Sequence, residues 1–115
     1  YILFIQKLCE HYQINYIFCD AFDKMIDDIK LENDKTKLIN KNPYWGFGEK
    51  TFKDFLISKD NKMVWELPQL DISKTPGMHP SEIGYEFIAE EIYRFINSNK
   101  NNIIRYDNNK KIKIL

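Results

Sequence analysis

The sequence predicts an α/β domain, and two stretches carry that prediction. Residues 2–12 place apolar side chains at helical spacing, and residues 14–19 follow as a short run of β-branched and aromatic residues. Later, residues 81–97 form an amphipathic stripe with a clear start signal. A helix feeding a buried strand is half of an α/β unit, and a further amphipathic helix supplies a covering layer.

The elements follow in order. Ile2, Ile5, Leu8, Cys9 and Tyr12 define the first helix, and a turn is expected at Gln13. The run INYIFC at 14–19 is too short for a stable helix and apolar on nearly every position, so it reads as a buried strand. Asp20 closes its C-terminal end. Residues 22–31 fit a short amphipathic helix. Residues 32–41 are polar and read as a loop or as an extension of that helix. Pro43, Gly46 and Gly48 exclude a regular helix from the aromatic stretch 42–48. Residues 49–58 resume a helical pattern, with Phe52, Phe55 and Leu56 on one side. A polar break at 59–62 precedes a short strand or edge at 63–67, and 68–78 read as irregular.

The helix at 81–97 is the clearest element. Ile83, Phe87, Ile88, Ile92, Phe95 and Ile96 form its apolar stripe, and Glu82, Glu86, Glu90, Glu91 and Arg94 cover the other side. Ser81 is a favourable N-cap, directly after Pro80. Glu82 suits the positive end of the helix dipole. Glu90 and Arg94 have the order for an i,i+4 pair. The stripe is expected to pack beside the strand at 14–19. Residues 1–99 are read as one domain portion and 100–115 as a polar tail, in which 112–115 could add a short strand.

Composition narrows the function classes. Seventeen basic and 17 acidic side chains give net charge zero, so no long-range field draws nucleic acid or an anionic membrane. Hydrophobic residues at 43% and aromatics at 15% suffice for a core and exclude disorder throughout. No run approaches the ~20 apolar residues of a membrane span, and no signal-peptide pattern is visible. Cys9 and Cys19 do not make a disulfide framework and read as two buried thiols. The Lys-, Asn- and Ile-rich composition suits an AT-rich genome, viral or phage among others. The chain opens inside a helical pattern, which suggests a start within a domain. A chain lacking earlier strands would leave its buried strand with open edges, so it is expected to be poorly soluble or a homo-oligomer by itself.

One stretch points to chemistry: Gly77-Met78-His79-Pro80-Ser81-Glu82-Ile83-Gly84-Tyr85, leading into Ile88-Ala89 and the amphipathic helix. It sets an imidazole on a loop at a helix start, pinned by a stiff proline, and a general base needs such fixed orientation. Gly84 falls in the first turn, where it would allow a neighbouring element to approach closely. The plain alternative for His79 is a loop histidine that caps or packs against a neighbour.

His79, Pro80, Ser81, Gly84 and the following helix resemble the last sequence block of SGNH (GDSL-type) serine hydrolases. Tyr44-Trp45 and Phe52-Lys53-Asp54-Phe55 are similar to the aromatic insert of phage-encoded members. The resemblance implies the C-terminal portion of a three-layer α/β/α, flavodoxin-like domain. It implies that His79 is the catalytic base and that the nucleophilic serine lies in a Gly-Asp-Ser motif upstream of this chain. The carboxylate that would orient the imidazole stands three residues before the histidine in the family. Pro76 occupies that position here, and Asp71 is the nearest upstream carboxylate, so Asp71 or a backbone carbonyl is expected to take the role. Ser58, Ser73, Ser81 and Ser98 lack the nucleophile's context.

The implied activity is ester hydrolysis on an acyl ester or an acetylated carbohydrate, without a cofactor and without metal. The isolated chain, lacking nucleophile and oxyanion donors, is expected to be inactive. The alternatives are a non-catalytic SGNH-like structural or glycan-binding module and an unrelated α/β interaction domain. Other candidates are thinner. Cys9, His11, Cys19 and His79 match no metal-ligand spacing. Asp20 and Asp23 follow a strand's C-terminal end, where α/β folds place ligands, but surface-loop carboxylates would look the same. Trp45, Phe47 and Trp65 could line a sugar or acyl pocket or simply fill the core. Lys110, Lys111 and Lys113 read as a solvated tail.

Overall fold

Helix α1 occupies Ile2–His11 in a computed structural model of the chain, which describes residues 2–26, 35–69 and 78–107. The helix ends as the sequence suggests, at Gln13, which takes a left-handed φ of 57°. The Gln13 amide bonds the Glu10 carbonyl at 3.2 Å and the Ile14 amide bonds that of Cys9 at 2.8 Å. This double closure is a Schellman ending, which satisfies the last carbonyls of the helix. The buried residue of α1 is polar. Gln6 accepts from the Asn40 backbone amide and donates to the Leu38 carbonyl, at the end of a 3₁₀ turn, Thr36–Leu38. Ile5 and Leu8, two of the apolar residues at helical spacing, are exposed, because the helix turns its Gln6 side inward.

Strands β1 (Phe18–Cys19) and β2 (Tyr44–Trp45) pair in parallel, Phe18 opposite Tyr44 and Cys19 opposite Trp45. The architecture is therefore α/β, with a small parallel sheet. The expected strand at 14–19 contracts to its last two residues. Asn15 turns instead to the C-terminal segment: its carboxamide oxygen accepts from the Arg105 and Tyr106 amides at 2.8 and 3.0 Å, and its NH₂ donates to the Tyr106 carbonyl at 3.1 Å. Strand β2 falls in the stretch read as turn-rich. Its residues are fully covered, with Tyr44 and Trp45 at 3% and 2% exposure.

Helix α2 (Phe52–Ser58) starts on a capping box. The Thr51 hydroxyl accepts from the Asp54 amide, and the Asp54 carboxylate accepts from the Thr51 amide. Lys62–Val64 form a 3₁₀ turn where a strand was one reading, and only Trp65 keeps extended pairing, through an antiparallel bridge to Pro80. Helix α3 (Glu82–Ser98) covers the expected element, with Ser81 as its cap accepting from the Gly84 amide at 3.2 Å; Phe87, Ile88, Ile92, Phe95 and Ile96 of the stripe are half-buried, whereas Ile83 is exposed. Its packing partners differ from the expectation. It lies on α2 and on the 62–64 turn, and it reaches the sheet through Glu91, which accepts from the Trp45 indole at 3.2 Å. Arg94 pairs with the same Glu91, one residue from the Glu90 the order suggested. Leu56, Val64, Trp65 and Met78 form the core under α3, with Phe87 and Ile88 packed against it. A short helix α4 (Lys100–Ile103) follows where the sequence reads as polar tail, and it buries Ile103. Residues 22–26 are not helical, and the rest of the helix expected at 22–31 lies outside the described residues, as does the strand at 112–115.

Candidate functional site

Met78 and Pro80 are both buried, and His79 between them is exposed. This alternation is that of an extended segment, and the backbone confirms it. The Glu66 amide donates to the His79 carbonyl at 3.0 Å, and the Ser81 amide donates to the Val64 carbonyl at 2.7 Å. His79 is thus held by two buried neighbours and a short antiparallel pairing, with its ring directed outward. Two residues on, the Ser81 hydroxyl is used twice, accepting from the Gly84 amide and donating to the Met63 carbonyl. A hydroxyl so engaged is a cap and not a nucleophile.

The close approach at Gly84 fixes this geometry. A side chain there would collide with the Val64 carbonyl and crowd the Pro80 ring. The absence of a β-carbon lets the first turn of α3 rest on the 62–65 backbone, and that contact sets where Pro80 and His79 lie.

His79 sits at the rim of a cleft of about 130 Å³. The buried Leu56 and Trp65 form its inner wall, and Ala21, Phe22 and the exposed Tyr85 flank its mouth. Ala21 and Phe22 come immediately after β1. They are tied to the start of α2, since the Asp20 carbonyl accepts from the Phe52 amide at 2.9 Å and the Ala21 carbonyl from the Lys53 amide at 3.0 Å. The cleft therefore opens beyond the C-terminal ends of the parallel strands, the customary ligand position of α/β folds.

Asp20 is near this region but serves the fold. It is 4% exposed, and its carboxylate accepts from the Tyr44 hydroxyl at 2.6 Å and from the Met25 amide at 3.2 Å. Burial first, then this hydrogen bond to a carboxylate, holds the Tyr44 hydroxyl well above the usual phenol range. Asp23 is exposed. Cys9 and Cys19 are half-buried free thiols, and burial, with the Asp20 charge adding to it, pushes the Cys19 thiol up to about 11. Such a thiol stays protonated and is a poor nucleophile at neutral pH. Among the described residues, no three His, Cys, Asp or Glu side chains gather as a metal site, so Cys9, His11, Cys19 and His79 are not brought together. No helix of the described residues is long and apolar enough to cross a membrane.

Of the aromatics singled out in the sequence, Trp65 lines the His79 cleft. Trp45 and Phe47 border a separate groove of about 360 Å³ with Lys50, Glu91 and Asn99. The Lys50 ammonium lies over the Trp45 ring, 4.8 Å from its centroid. Asp71, Ser73 and Pro76 lie outside the described residues. The contributions of Phe22 and Tyr85 to the cleft were not read from the sequence. Tyr85 stands one residue after the helix-start glycine, in the same block as His79, and that shared block is the available signal. Comparison of the chain with protein-family models, with curated proteins and with solved structures gave no match.

Proposed function

We propose that this chain is the C-terminal portion of an SGNH-type esterase or O-deacetylase domain, a three-layer α/β/α fold in which His79 is the catalytic base. The observation that carries the reading is the setting of His79: an exposed histidine whose backbone is pinned between two buried residues, lining an apolar cleft beyond the ends of parallel strands. A base must be held in place yet remain accessible, and the pinned backbone and exposed side chain of His79 support that reading.

In this reading a serine upstream of the chain attacks the ester carbonyl. His79 accepts the hydroxyl proton and returns it to the departing alcohol. Oxyanion donors come from the same upstream region. Asp71, or a backbone carbonyl, holds the imidazole tautomer. Pro76 in the family's carboxylate position favours a second reading, a non-catalytic SGNH-like module that binds a glycan. The substrate is an acyl ester or acetylated carbohydrate in the first reading and the intact glycan in the second.

A covalent serine probe separates them. The protein with its complete native sequence, treated with a fluorophosphonate, is expected to be labelled on a serine outside residues 1–115, with loss of ester hydrolysis. Asp71→Asn is then expected to lower kcat about as far as loss of the base if the carboxylate orients the ring, and less if a carbonyl does. No labelling and no hydrolysis would leave the binding module.

A further inference from the structure

The groove between the 41–50 segment and α3 shares no lining residue with the His79 cleft. Phe47 and Phe95, both half-buried, form its apolar walls beside the buried Trp45. Two exposed lysines reach it, Lys41 from one end of the segment and Lys50 from the other. Both ammonium groups stand over aromatic rings: Lys50 over Trp45 at 4.8 Å and Lys41 over Phe47 at 5.8 Å from the centroid. Such a contact holds a cation in place without neutralising it. The backbone helps to place Lys50. Gly46 and Gly48 take left-handed φ of 68° and 66°, and the Gly46 carbonyl accepts from the Glu49 and Lys50 amides at 2.7 and 3.0 Å, which folds Lys50 back over Trp45.

The carboxylates of the groove do not cancel these charges. Glu91 is already engaged at both oxygens, accepting from the Trp45 indole at 3.2 Å and from the Arg94 guanidinium at 3.1 Å. Glu49 is exposed at the rim. Among the described residues, no ion pair joins Lys41 or Lys50 to a carboxylate. With Glu91 offset by Arg94, two held ammonium groups face one carboxylate. We propose that this groove binds the phosphate group of a small phosphate monoester, with Lys41 and Lys50 as its cationic contacts and Phe47 and Phe95 beside the group that carries it. Ammonium point charges suit phosphate, whereas a carboxylate is matched best by the planar fork of an arginine. The proposal does not depend on the hydrolase reading.

The test is an NMR titration of the protein with its complete native sequence, at constant ionic strength, with inorganic phosphate and with phenyl phosphate. The Trp45 indole N–H and the backbone amides of 41–50 are the reporters. Saturable shifts are expected with both, and tighter binding of phenyl phosphate, whose ring adds contact with Phe47 and Phe95. Lys41→Gln and Lys50→Gln should each weaken binding about two- to fivefold, the range of an exposed charge pair. Lys50→Arg keeps the charge and the ring contact and should bind within about twofold of the unaltered protein. Glu49→Gln should bind more tightly. Lys59→Gln removes an ammonium held over Phe55 and Phe87, outside the groove, and should bind unchanged. Saturation by inorganic phosphate with exclusion of phenyl phosphate would support the phosphate site with the free ion as its ligand. Shifts that grow without saturation, an affinity unchanged in the Lys41→Gln/Lys50→Gln double variant, or a loss in Lys50→Arg equal to that in Lys50→Gln would overturn the proposal.

Discussion

Gly84 lies so close to the Val64 carbonyl that no β-carbon fits between them. The obstacle is backbone on one side and the Pro80 ring on the other, neither of which can rotate away. Gly84→Ala is therefore expected to destabilise despite alanine's better helix propensity. Because the obstacle is backbone that cannot move aside, the overpacking cost falls at the upper end of its range, about 3 kcal/mol, and the propensity gain of about 1 kcal/mol leaves a net loss of about 2 kcal/mol. A fall in Tm of at least about 4 °C is expected. In the same variant, amide shifts at Val64, Trp65 and His79 should show that the first turn of α3 positions the histidine loop.

Gln13 offers the opposite case. It holds a left-handed φ of 57° inside the Schellman ending of α1, a conformation that costs an L-residue roughly 1–2 kcal/mol. Gln13→Gly removes that cost but loosens the unfolded chain. A net gain of about 0.5–1 kcal/mol is expected from denaturant unfolding. A loss of stability would mean that the Gln13 side chain makes contacts worth more than the backbone strain.

Alkaline pH should weaken the fold from the sheet outward. Burial raises the Cys19 thiol from 9.0 to about 11, and the Tyr44 hydroxyl is raised from 10.0 by burial and by its bond to Asp20. Both groups hold their protons more tightly folded than unfolded. Their contribution is complete below pH 9, where thiol and phenol are protonated in both states. It declines as pH rises through 9 to about 11 for Cys19, and continues to fall above 10.0 for Tyr44. Urea unfolding at steps across that window should show the decline, and Cys19→Ala should flatten its lower part. Equal slopes in both proteins would contradict the assignment to the thiol.

What was legible in the sequence were features set by local pattern. The helix α3, its Ser81 cap and the role of Gly84 follow from residue types at fixed offsets, and the structure shows each of them, while the apolar stripe is covered from Phe87 onward and Ile83 is exposed. The turn at Gln13 was likewise readable. The sheet was not, because pairing Phe18 with Tyr44 is non-local and a two-residue strand leaves no alternation to read. Pro43 and Gly46 on either side of β2 made that stretch look like turn alone. The burial of Gln6 in α1 also escaped the periodicity, since an amide that satisfies two backbone groups can face inward where an apolar residue was expected. At the site, His79 and Trp65 were singled out in advance. Phe22 and Tyr85 entered only when the chain segments met.

His79→Ala is the most direct test of the central claim. The ring is exposed and the backbone bond from Glu66 does not depend on it, so Tm should stay within the change expected of about 0.5 kcal/mol. On the protein with its complete native sequence, kcat for a short acyl ester should fall by at least about 10³-fold in His79→Ala, because the members of a serine–histidine machinery act as a unit. Unchanged turnover at unchanged stability would contradict the account.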